Sequence, residues 1–329
     1  MDIKGKRLVL IGGAGFIGSH TADLLLEEDI KEMIIFDNFS RGKIENLNNV
    51  IKDPRVKIIE GDIIHTDILE SVLNEVDGVF HFAAMWLLHC HEFPRSAFQV
   101  NVAGTFNVMD ACIKKGVKRL VFSSSASVYG DALYEPMDED HPFNNKNFYG
   151  ATKIACEAML RAYHHRYGLN YVGLRYMNVY GPRQDYKGVY VSVIMKMLDA
   201  INNGLGPTIY GNGEEGYDFI YVKDCARANI LAMKSEISDR FYNIGTGEKT
   251  TLKDLAELLI KLTGSDQKIN YLPREDDTIV KNRIGDPSRA FKELGFKAKV
   301  DLKEGLKRLI KWRNTIEHNK GRAYGYTNN

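Results

Sequence analysis

The sequence lacks long hydrophobic runs, paired cysteines and a charge of one dominant sign. No apolar run reaches the roughly 18 residues that a membrane-spanning helix requires. Residues 1–7 are mostly polar and lead directly into a predicted strand, so we expect no signal peptide. The net charge of +1 provides no basic field that would attract nucleic acid or an anionic membrane. We therefore expect a cytoplasmic protein with neither nucleic acid nor a membrane as a partner.

Cysteine is scarce and its spacing does not suggest a disulfide framework. The four cysteines are scattered without a C-x-x-C pair, which is typical of free thiols in a reducing compartment. The run His89-Cys90-His91 suggests a metal site, but adjacent side chains converge poorly on one ion and no further ligand cluster accompanies them. We expect no bound metal.

What the sequence does have is a regular alternation of short apolar strands and helical patterns. Its 329 residues, 44% hydrophobic and 26% charged, are enough for one large or two moderate domains. Helical patterns at about 16–28, 66–75 and 94–115 separate the strands. This alternation predicts a Rossmann-type α/β fold with a doubly wound parallel sheet that binds ligands at its carboxyl edge. The predicted strands are Arg7–Ile11, Met33–Phe36, Val56–Ile59, Gly78–Phe82, Arg119–Phe122 and Tyr171–Leu174.

A glycine-rich turn connects the first strand to the first helix. Gly12, Gly15 and Gly18 follow the spacing G-x-x-G-x-x-G. Glycine permits the tight turn and exposes bare backbone, and the helix that follows offers amide donors and a positive dipole end to a pyrophosphate. Because the motif stands between a strand and a helix, it predicts dinucleotide binding.

Acidic residues stand where the second and third strands end. Asp37 comes nineteen residues after the last glycine of the turn, where an acid holds both ribose hydroxyls of an adenosine and repels the extra phosphate of NADP. Asn38 follows it, and the pair Asp62-Ile63 is placed to bracket an adenine ring. These positions predict NAD as the cofactor, while Arg41 leaves NADP as an alternative.

Tyr149 and Lys153 begin a helical pattern four residues apart, a spacing that stacks both side chains on one face. A free tyrosine, with an ordinary pKa of about 10, is a poor base at neutral pH, and a fixed ammonium in a partly dry site favours the phenolate form. Alone, the pattern Y-x-x-x-K equally fits an ordinary surface helix. Together with the glycine turn and Asp37, it indicates a catalytic base and its supporting cation.

The strict alternation weakens after the sixth strand, where Gly- and Asn-rich segments appear. We expect a cofactor-binding domain at 1–178 and a smaller substrate-binding α/β domain at 179–318. Residues 224–246 are expected to pack back on the first domain. The polar tail at 319–329 is expected to be loose.

The ordered set of motifs resembles the extended short-chain dehydrogenase/reductase family, specifically its NAD-dependent nucleotide-sugar epimerases and dehydratases, the UDP-glucose 4-epimerases among them. The likeness covers essentially all of residues 6–316. Any one motif is a weak signal, whereas the ordered set is specific. The motifs are Gly12–Gly18, Asp37-Asn38, Asp62, His81-Phe-Ala-Ala84, Asn101, Ser123–Gly130, Tyr149 with Lys153, Asn178 with Gly181-Pro-Arg183, and Asp218–Asp224.

The resemblance implies an enzyme that holds NAD tightly and acts at C4 of a nucleotide-diphospho-sugar. Tyr149 would take the proton of the sugar hydroxyl, Lys153 would hold the ribose, and Ser125 would hydrogen-bond the same sugar oxygen. In a 4-epimerase the keto-sugar then swings about its diphosphate link and takes the hydride back on its other face. The residues that the resemblance places against NAD are Gly12, Gly15, Phe16, Ile17, Gly18, Asp37, Asn38, Asp62, Ile63, Phe82, Ala83, Ala84, Asn101, Ser123, Tyr149, Lys153 and Tyr176.

Missing acid and base groups favour one reaction within this family. The 4,6-dehydratases that the chain resembles carry an Asp-Glu pair directly after Ser125, where this chain has Ala126 and Ser127, which do not exchange protons at neutral pH. The Glu of decarboxylating relatives is also missing. We therefore favour a 4-epimerase of UDP-hexoses in polysaccharide or glycoconjugate synthesis. The alternatives are a C4 dehydrogenase or reductase, a 4,6-dehydratase, and a non-catalytic NAD-sensing protein, which the intact Ser125, Tyr149 and Lys153 disfavour.

Two departures from the family pattern concern the substrate. Tyr217 stands where many relatives carry an Arg that grips a phosphate, and a phenol offers no bidentate cationic fork. Arg274, Arg183 and Arg283 are the remaining candidates for a diphosphate clamp, with Arg274 favoured. Trp86 stands where hexose 4-epimerases commonly carry Lys, and it fits either a substrate contact or the core. The expected substrate-binding residues are Trp86, Ser125, Asn178, Arg183, Tyr217 and Arg274.

The helices predicted at 94–115 and 149–167 carry apolar residues on more than one side. Relatives pair these two helices with those of a second subunit, so the resemblance implies a homodimer. The periodicity alone equally fits burial within one chain.

Overall fold

Strands and helices alternate along the chain, as its apolar pattern predicts. The computed structural model describes residues 1–186, 191–274 and 280–324, with side chains to residue 316. The strands are β1 (Arg7–Ile11), β2 (Glu32–Asp37), β3 (Val56–Glu60), β4 (Gly78–His81), β5 (Arg119–Ser125), β6 (Tyr171–Tyr176), β7 (Asn178–Tyr180), β8 (Thr208–Tyr210), β9 (Gly216–Tyr217), β10 (Phe219–Tyr221), β11 (Arg240–Ile244), β12 (Thr250–Thr251), β13 (Asn270–Leu272) and β14 (Asn282–Arg283). The helices are α1 (Phe16–Leu25), α2 (Thr66–Val72), α3 (Leu87–Glu92), α4 (Pro94–Ala97), α5 (Thr105–Lys114), α6 (Phe148–Tyr167), α7 (Val193–Asn202), α8 (Val222–Lys234), α9 (Leu252–Thr263), α10 (Ser288–Leu294) and α11 (Leu302–Tyr324).

The central sheet has seven parallel strands in the order β11-β6-β5-β4-β1-β2-β3. The strand order reverses between β1 and β4, which places a crevice at the carboxyl ends of these two strands. The predicted Rossmann-type fold is thus confirmed. Each of the six predicted strands is present; the structure extends several of them by one to three residues at their ends and ends β4 one residue earlier than predicted, at His81.

Successive residues of β1 point to opposite faces of the sheet, and each face has its own apolar core. Leu8 and Leu10 belong to a core that includes residues of α1 and α8. Val9 and Ile11 belong to a second core, shared with α2, α5 and α6. Because helices cover both faces, the strands are almost continuously apolar rather than alternating.

The segment 222–244 returns to the central sheet. Strand β11 pairs with β6, and α8 packs against α1. Helix α10 also packs against β11 and α8, whereas α7, α9 and α11 build a separate apolar core. Helix α11 continues to Tyr324, so residues 319–324, which were predicted to be loose, are helical, and residues 325–329 lie outside the described part of the chain.

The prediction of one continuous helix at 94–115 is wrong in detail. The chain forms α4, then a π-helical segment at Phe98–Gly104, then α5. The wider turn of the π-helix holds Asn101, whose carboxamide accepts from Met85 N at 2.7 Å and donates to Met85 O at 2.9 Å. The helix ends were also predicted too late for α1, which stops at Leu25, and for α2, which stops at Val72.

Candidate active site

A cavity of about 600 Å³ lies at the carboxyl ends of the central strands. It runs from the glycine turn after β1, past the ends of β2 and β4, to the first turns of α6. Many residues predicted from sequence line it: Gly12, Gly15, Phe16, Ile17, Gly18, Asp37, Asn38, Asp62, Ile63, Phe82, Ala83, Ala84, Trp86, Ser123, Tyr149, Lys153, Tyr176 and Arg183. Ser125, Asn101, Asn178, Tyr217 and Arg274 are the predicted site residues outside this lining.

The glycine turn is packed so tightly that side chains do not fit. Gly12 has a φ of +77°, and a Cβ there would lie 2.6 Å from the backbone N of Ala83. A Cβ on Gly18 would lie 2.5 Å from the carbonyl oxygen of Gly12. The turn therefore brings the ends of β1 and β4 together and leaves the N-terminal amides of α1 facing the cavity. This cradle fits a pyrophosphate.

Asp37 joins the glycine turn to the loop after β2. One carboxylate oxygen accepts from Ala14 N and the other from Phe39 N, both at 2.9 Å. The side chain is buried, and burial raises the pKa of the Asp37 carboxyl above its ordinary value while the two backbone donors oppose the rise. A negative charge held at this edge of the cavity favours ribose hydroxyls over a ribose phosphate.

Arg41, the residue that kept NADP as an alternative cofactor, contacts Trp86 and Asp185 in the structure. Its guanidinium stacks on Trp86, with Cζ 4.3 Å from the ring centroid, and its Nε lies 3.4 Å from an Asp185 oxygen. Trp86 thus serves as a platform for Arg41 at the edge of the cavity. Asn38 and Asp62 form the next pair along the cavity wall, at the end where the adenine is expected. The side-chain amide of Asn38 donates a hydrogen bond to the Asp62 carboxylate at 2.7 Å.

Replacing Asp37 with alanine is expected to weaken NAD binding roughly tenfold, the size of one lost charged hydrogen bond, and to narrow the preference for NAD over NADP. Dissociation constants for both cofactors, measured on protein stripped of nucleotide, check this. Asp62→Ala is the matched control, because it removes a carboxylate from the adenine end and should weaken both cofactors alike. An unchanged ratio of the two constants in Asp37→Ala would remove the assigned role.

Tyr149 and Lys153 lie on one face of α6 at the far end of the cavity. The helix begins at Phe148 because the side chain of Asn147 caps it by accepting from Gly150 N at 2.8 Å. Lys153 is buried, its Nζ donates to the carbonyl of Ser123 at 2.7 Å, and it lies 5.8 Å from the Tyr149 ring centroid. A fixed ammonium close to the phenol is the arrangement that a tyrosine base requires.

The serines at the end of β5 differ in their surroundings. Ser123 Oγ lies 3.5 Å from the hydroxyl of Tyr176, which donates to Asn229 at 2.7 Å. Burial raises the pKa of Tyr176, so this second phenol stays protonated as a hydrogen-bond donor. Ser125 Oγ accepts from Ser127 N at 3.1 Å, and its own proton remains available to donate to a further oxygen.

Asn101 was predicted to contact the cofactor, and its position in the structure differs. Its carboxamide is buried, binds both backbone groups of Met85 and donates to Thr152 Oγ1 at 3.1 Å. Thr152 lies between Tyr149 and Lys153 on α6. Asn101 therefore holds the loop after β4 against α6, one layer behind the cavity.

The predicted substrate residues are already engaged by the protein itself. Arg183, in a left-handed conformation with φ of +67°, donates to Asp23 of α1 at 2.7 Å. Tyr217 donates to the carbonyl of Val280 at 2.7 Å. Arg274 pairs with Glu215 at 2.6 Å, directly before residues 275–279, which lie outside the described chain. Of these three residues Arg183 alone lines the cavity, so the structure does not bring them together as one clamp.

Asn178 is the first residue of β7, and it contacts Asp218 through its backbone. Its backbone N donates to the carbonyl of Asp218 at 2.9 Å, and β7 pairs with β10. Arg283, the third candidate for a diphosphate clamp, lies on β14 in register with Tyr217. The buried Nε of Arg283 has no hydrogen-bond partner among the described residues, which leaves this nitrogen as a donor for an anion.

Two features of the site were missed in the sequence. Glu157 lies one turn beyond Lys153 on α6 and is buried in an ion pair with Arg175 of β6. The spacing Tyr149, Lys153, Glu157 was a usable signal, because these three residues recur at four-residue intervals. Asp185 was also missed, since its contact with Arg41 joins loops far apart in sequence.

Metal ligands and membrane segments were also searched for in the structure. Among the residues that the structure describes, no group of three or more His, Cys, Asp or Glu side chains is placed to hold a metal ion. All four cysteines are buried and carry no disulfide. No helix in the described ranges has the length and apolarity needed to cross a bilayer.

Comparison with known proteins assigns the chain to a family. A family model described as GDP-mannose 4,6 dehydratase matches residues 9–309. A protein of Methanocaldococcus jannaschii named putative UDP-glucose 4-epimerase is 37% identical, over 93% of this chain and 97% of the relative.

Solved structures of nucleotide-sugar epimerases superpose on nearly the whole of this chain. The UDP-N-acetylglucosamine 4-epimerase from Methanobrevibacter ruminantium, in complex with UDP-N-acetylmuramic acid, is 39% identical with a TM-score of 0.90, covering 95% of this chain and 99% of that one. The UDP-glucose 4-epimerase of Thermus thermophilus in complex with NAD is 32% identical with a TM-score of 0.84, covering 94% and 99%. The chain therefore belongs to the GDP-mannose 4,6-dehydratase family of NAD-dependent nucleotide-sugar epimerases and dehydratases.

Proposed function

We propose that this protein is an NAD-dependent 4-epimerase of nucleotide-diphospho-sugars, with a UDP-hexose as substrate. The observation that carries the proposal is the pairing of Tyr149 with the buried Lys153 at one end of a cavity whose other end fits an adenosine. The named relatives support it, since 4-epimerases acting on UDP-sugars are 32–39% identical to this chain over more than nine-tenths of its length.

NAD fits the cavity and would be held by the glycine turn, Asp37, Asp62 and Lys153; when bound, it supplies the hydride acceptor and donor. The protein's own residues move the proton. Tyr149, as phenolate, accepts the proton of the C4 hydroxyl and later returns it to the C4 oxygen of the keto-sugar. Ser125 donates to the same oxygen. Lys153 offsets the negative charge on Tyr149 while the proton is away.

Epimerisation requires the keto-sugar to present both faces in one site. The sugar is held through its nucleotide and diphosphate, so rotation about the diphosphate link exposes the other face of C4 without release. Proton and hydride then return, and atoms and electrons balance within one turnover. A site of this kind consumes no free cofactor.

Ala126 and Ser127 support an epimerase over a dehydratase. Elimination of water needs an additional acid and base beside the sugar, and the methyl of Ala126 has no transferable proton. Both residues are buried in the short 3₁₀ turn Ala126–Val128, which directly follows Ser125. Directly after Ser125 the chain therefore offers no acid or base at these two positions, which favours oxidation and reduction at C4 over elimination.

Under this assignment each part of the chain has its own role. Residues 1–178 form the NAD-binding part, joined by 224–246, and 179–318 hold the nucleotide sugar. The protein is a cytoplasmic homodimer that supplies sugars for polysaccharide or glycoconjugate synthesis. Exposed aromatic side chains support the pairing of subunits through the π-helical segment and α5: Phe98 is 49% exposed and Phe106 44%.

Purified protein incubated without added cofactor, with a panel of UDP-, GDP-, CDP- and dTDP-sugars, tests the proposal. We expect one or more UDP-hexoses to yield an isomer of equal mass, separable by chromatography. Tyr167→Phe, a substitution on the exposed end of α6, is the matched control and should leave this activity intact. Loss of water would assign a dehydratase instead, and reaction only with an external oxidant would assign a dehydrogenase.

A further inference from the structure

Helix α6 presents three functional side chains on one face, not two. Tyr149, Lys153 and Glu157 are spaced by four residues, which places them in a row along the helix. Lys153 and Glu157 are each only 4% exposed. Glu157 is thus a buried carboxylate on the same face as the proposed base, and the proton chemistry described above does not use it.

Glu157 fastens α6 to the two neighbouring strands. One of its oxygens accepts from Ser124 Oγ at 2.5 Å and from Arg175 Nε at 3.0 Å, and the other accepts from Arg175 Nη2 at 2.7 Å. Ser124 and Arg175 are partners in the pairing of β5 with β6. Since Lys153 binds the carbonyl of Ser123, α6 is attached to β5 at two consecutive residues, immediately before Ser125.

Arg175 is itself held rigidly on the side away from the helix. Its Nη1 donates to the hydroxyl of Tyr129 at 2.7 Å and to the carbonyl of Glu139 at 3.0 Å. The Tyr129 hydroxyl donates to Asn243 of β11 at 2.7 Å. A continuous chain of hydrogen bonds therefore runs from α6 through β6 to β11. Each side chain in it is fixed by the next one along the chain.

We propose that Glu157 is a positioning residue for the reaction, acting with Ser124 and Arg175 to set where Tyr149 stands relative to Ser125. The pair is bidentate, and two parallel hydrogen bonds between a guanidinium and a carboxylate fix the orientation of one group relative to the other. The two groups that meet at the sugar oxygen, Tyr149 and Ser125, come from α6 and β5. A displacement of about 1 Å between such groups costs on the order of 100-fold in rate.

The inference rests on the proposed function, and its test uses the UDP-hexose on which the wild type is active. Ser124→Ala removes the link to α6 and keeps the ion pair, while Glu157→Gln keeps the shape and weakens both links. Asp199→Asn is the matched control, because Asp199 is a carboxylate paired with a buried arginine, Arg313, at 2.9 Å in the other domain. Bound NAD and the melting temperature are measured for each, so that turnover is expressed per folded, loaded site.

We expect kcat to fall roughly tenfold in Ser124→Ala and roughly 100-fold in Glu157→Gln, with KM within about twofold of wild type. The kinetic isotope effect on kcat with a C4-deuterated sugar should rise in both, because chemistry becomes slower than release. Asp199→Asn should match wild type in kcat even where its melting temperature falls.

Unchanged kcat and isotope effect in Ser124→Ala would overturn the inference, whatever happens to stability. Should Glu157→Gln fail to fold, Ser124→Ala still decides, because it leaves the buried charges paired. A change in KM alone, with kcat at the wild-type value in both variants, would overturn the inference as well. Wild-type protein inactive on every sugar of the panel would instead refute the proposed function, and this result is distinct from the other two.

Discussion

Replacing Tyr149 with phenylalanine is expected to lower kcat about a thousandfold while bound NAD and the fold remain as in the wild type. The change removes one oxygen, the atom that takes and returns the proton of the sugar hydroxyl. Lys153 keeps its hydrogen bond to the carbonyl of Ser123 and therefore stays in place without the phenol. Turnover of the UDP-hexose per mole of bound NAD is the measurement.

Tyr167→Phe is the control for this prediction, since it makes the same chemical change on the same helix. Tyr167 ends α6 and is 56% exposed. Its activity should equal that of the wild type. Near-normal turnover by Tyr149→Phe would eliminate the tyrosine as the base, and it would do so without affecting the assignment of the cofactor cavity.

Gly12→Ala is expected to abolish the binding of NAD. An added Cβ would lie 2.6 Å from Ala83 N and 2.9 Å from Ala83 Cα, and both are backbone atoms that have no room to move between β1 and β4. The turn would have to open, which displaces the amides of α1 from the pyrophosphate position. The nucleotide content of the purified protein and its melting temperature are the measurements.

Gly116→Ala separates crowding from backbone strain. Gly116 also has a left-handed φ, of +67°, but no atom lies within 4 Å of a Cβ built there. This variant should lose only about 1 kcal/mol of stability and should retain NAD. If both variants bound NAD equally well, the close approach at Gly12 would have no role in holding the cofactor.

The residues that line the cavity along the strand ends were predictable because their sequence signals are local. The glycine turn, Asp37 and the small residues after β4 each follow a strand directly, and parallel strands bring their carboxyl ends to one edge. Tyr149 and Lys153 were predictable as a pair for a similar reason, since helix geometry alone places them on one face.

The misplaced residues depend on contacts between distant segments. The position of Asn101 follows from a π-helical turn and from Met85, and no periodicity in the sequence indicates either. Arg183 lines the cavity as expected, but its ion pair with Asp23 of α1 was not predicted, because Asp23 lies far away in sequence. Likewise, the stacking of Arg41 on Trp86 joins two loops that only the folded sheet brings together.

The fate of the hydrogen on C4 tests the central claim most directly. The active UDP-hexose, carrying deuterium at C4, is incubated in ordinary water, and the unlabelled sugar is incubated in heavy water without added cofactor. Direct return of the hydride predicts an epimer that keeps its deuterium in the first case and gains no carbon-bound deuterium in the second. Loss of the label to water, or deuterium on a carbon beside C4, would contradict a 4-epimerase that oxidises and reduces the same carbon in one site.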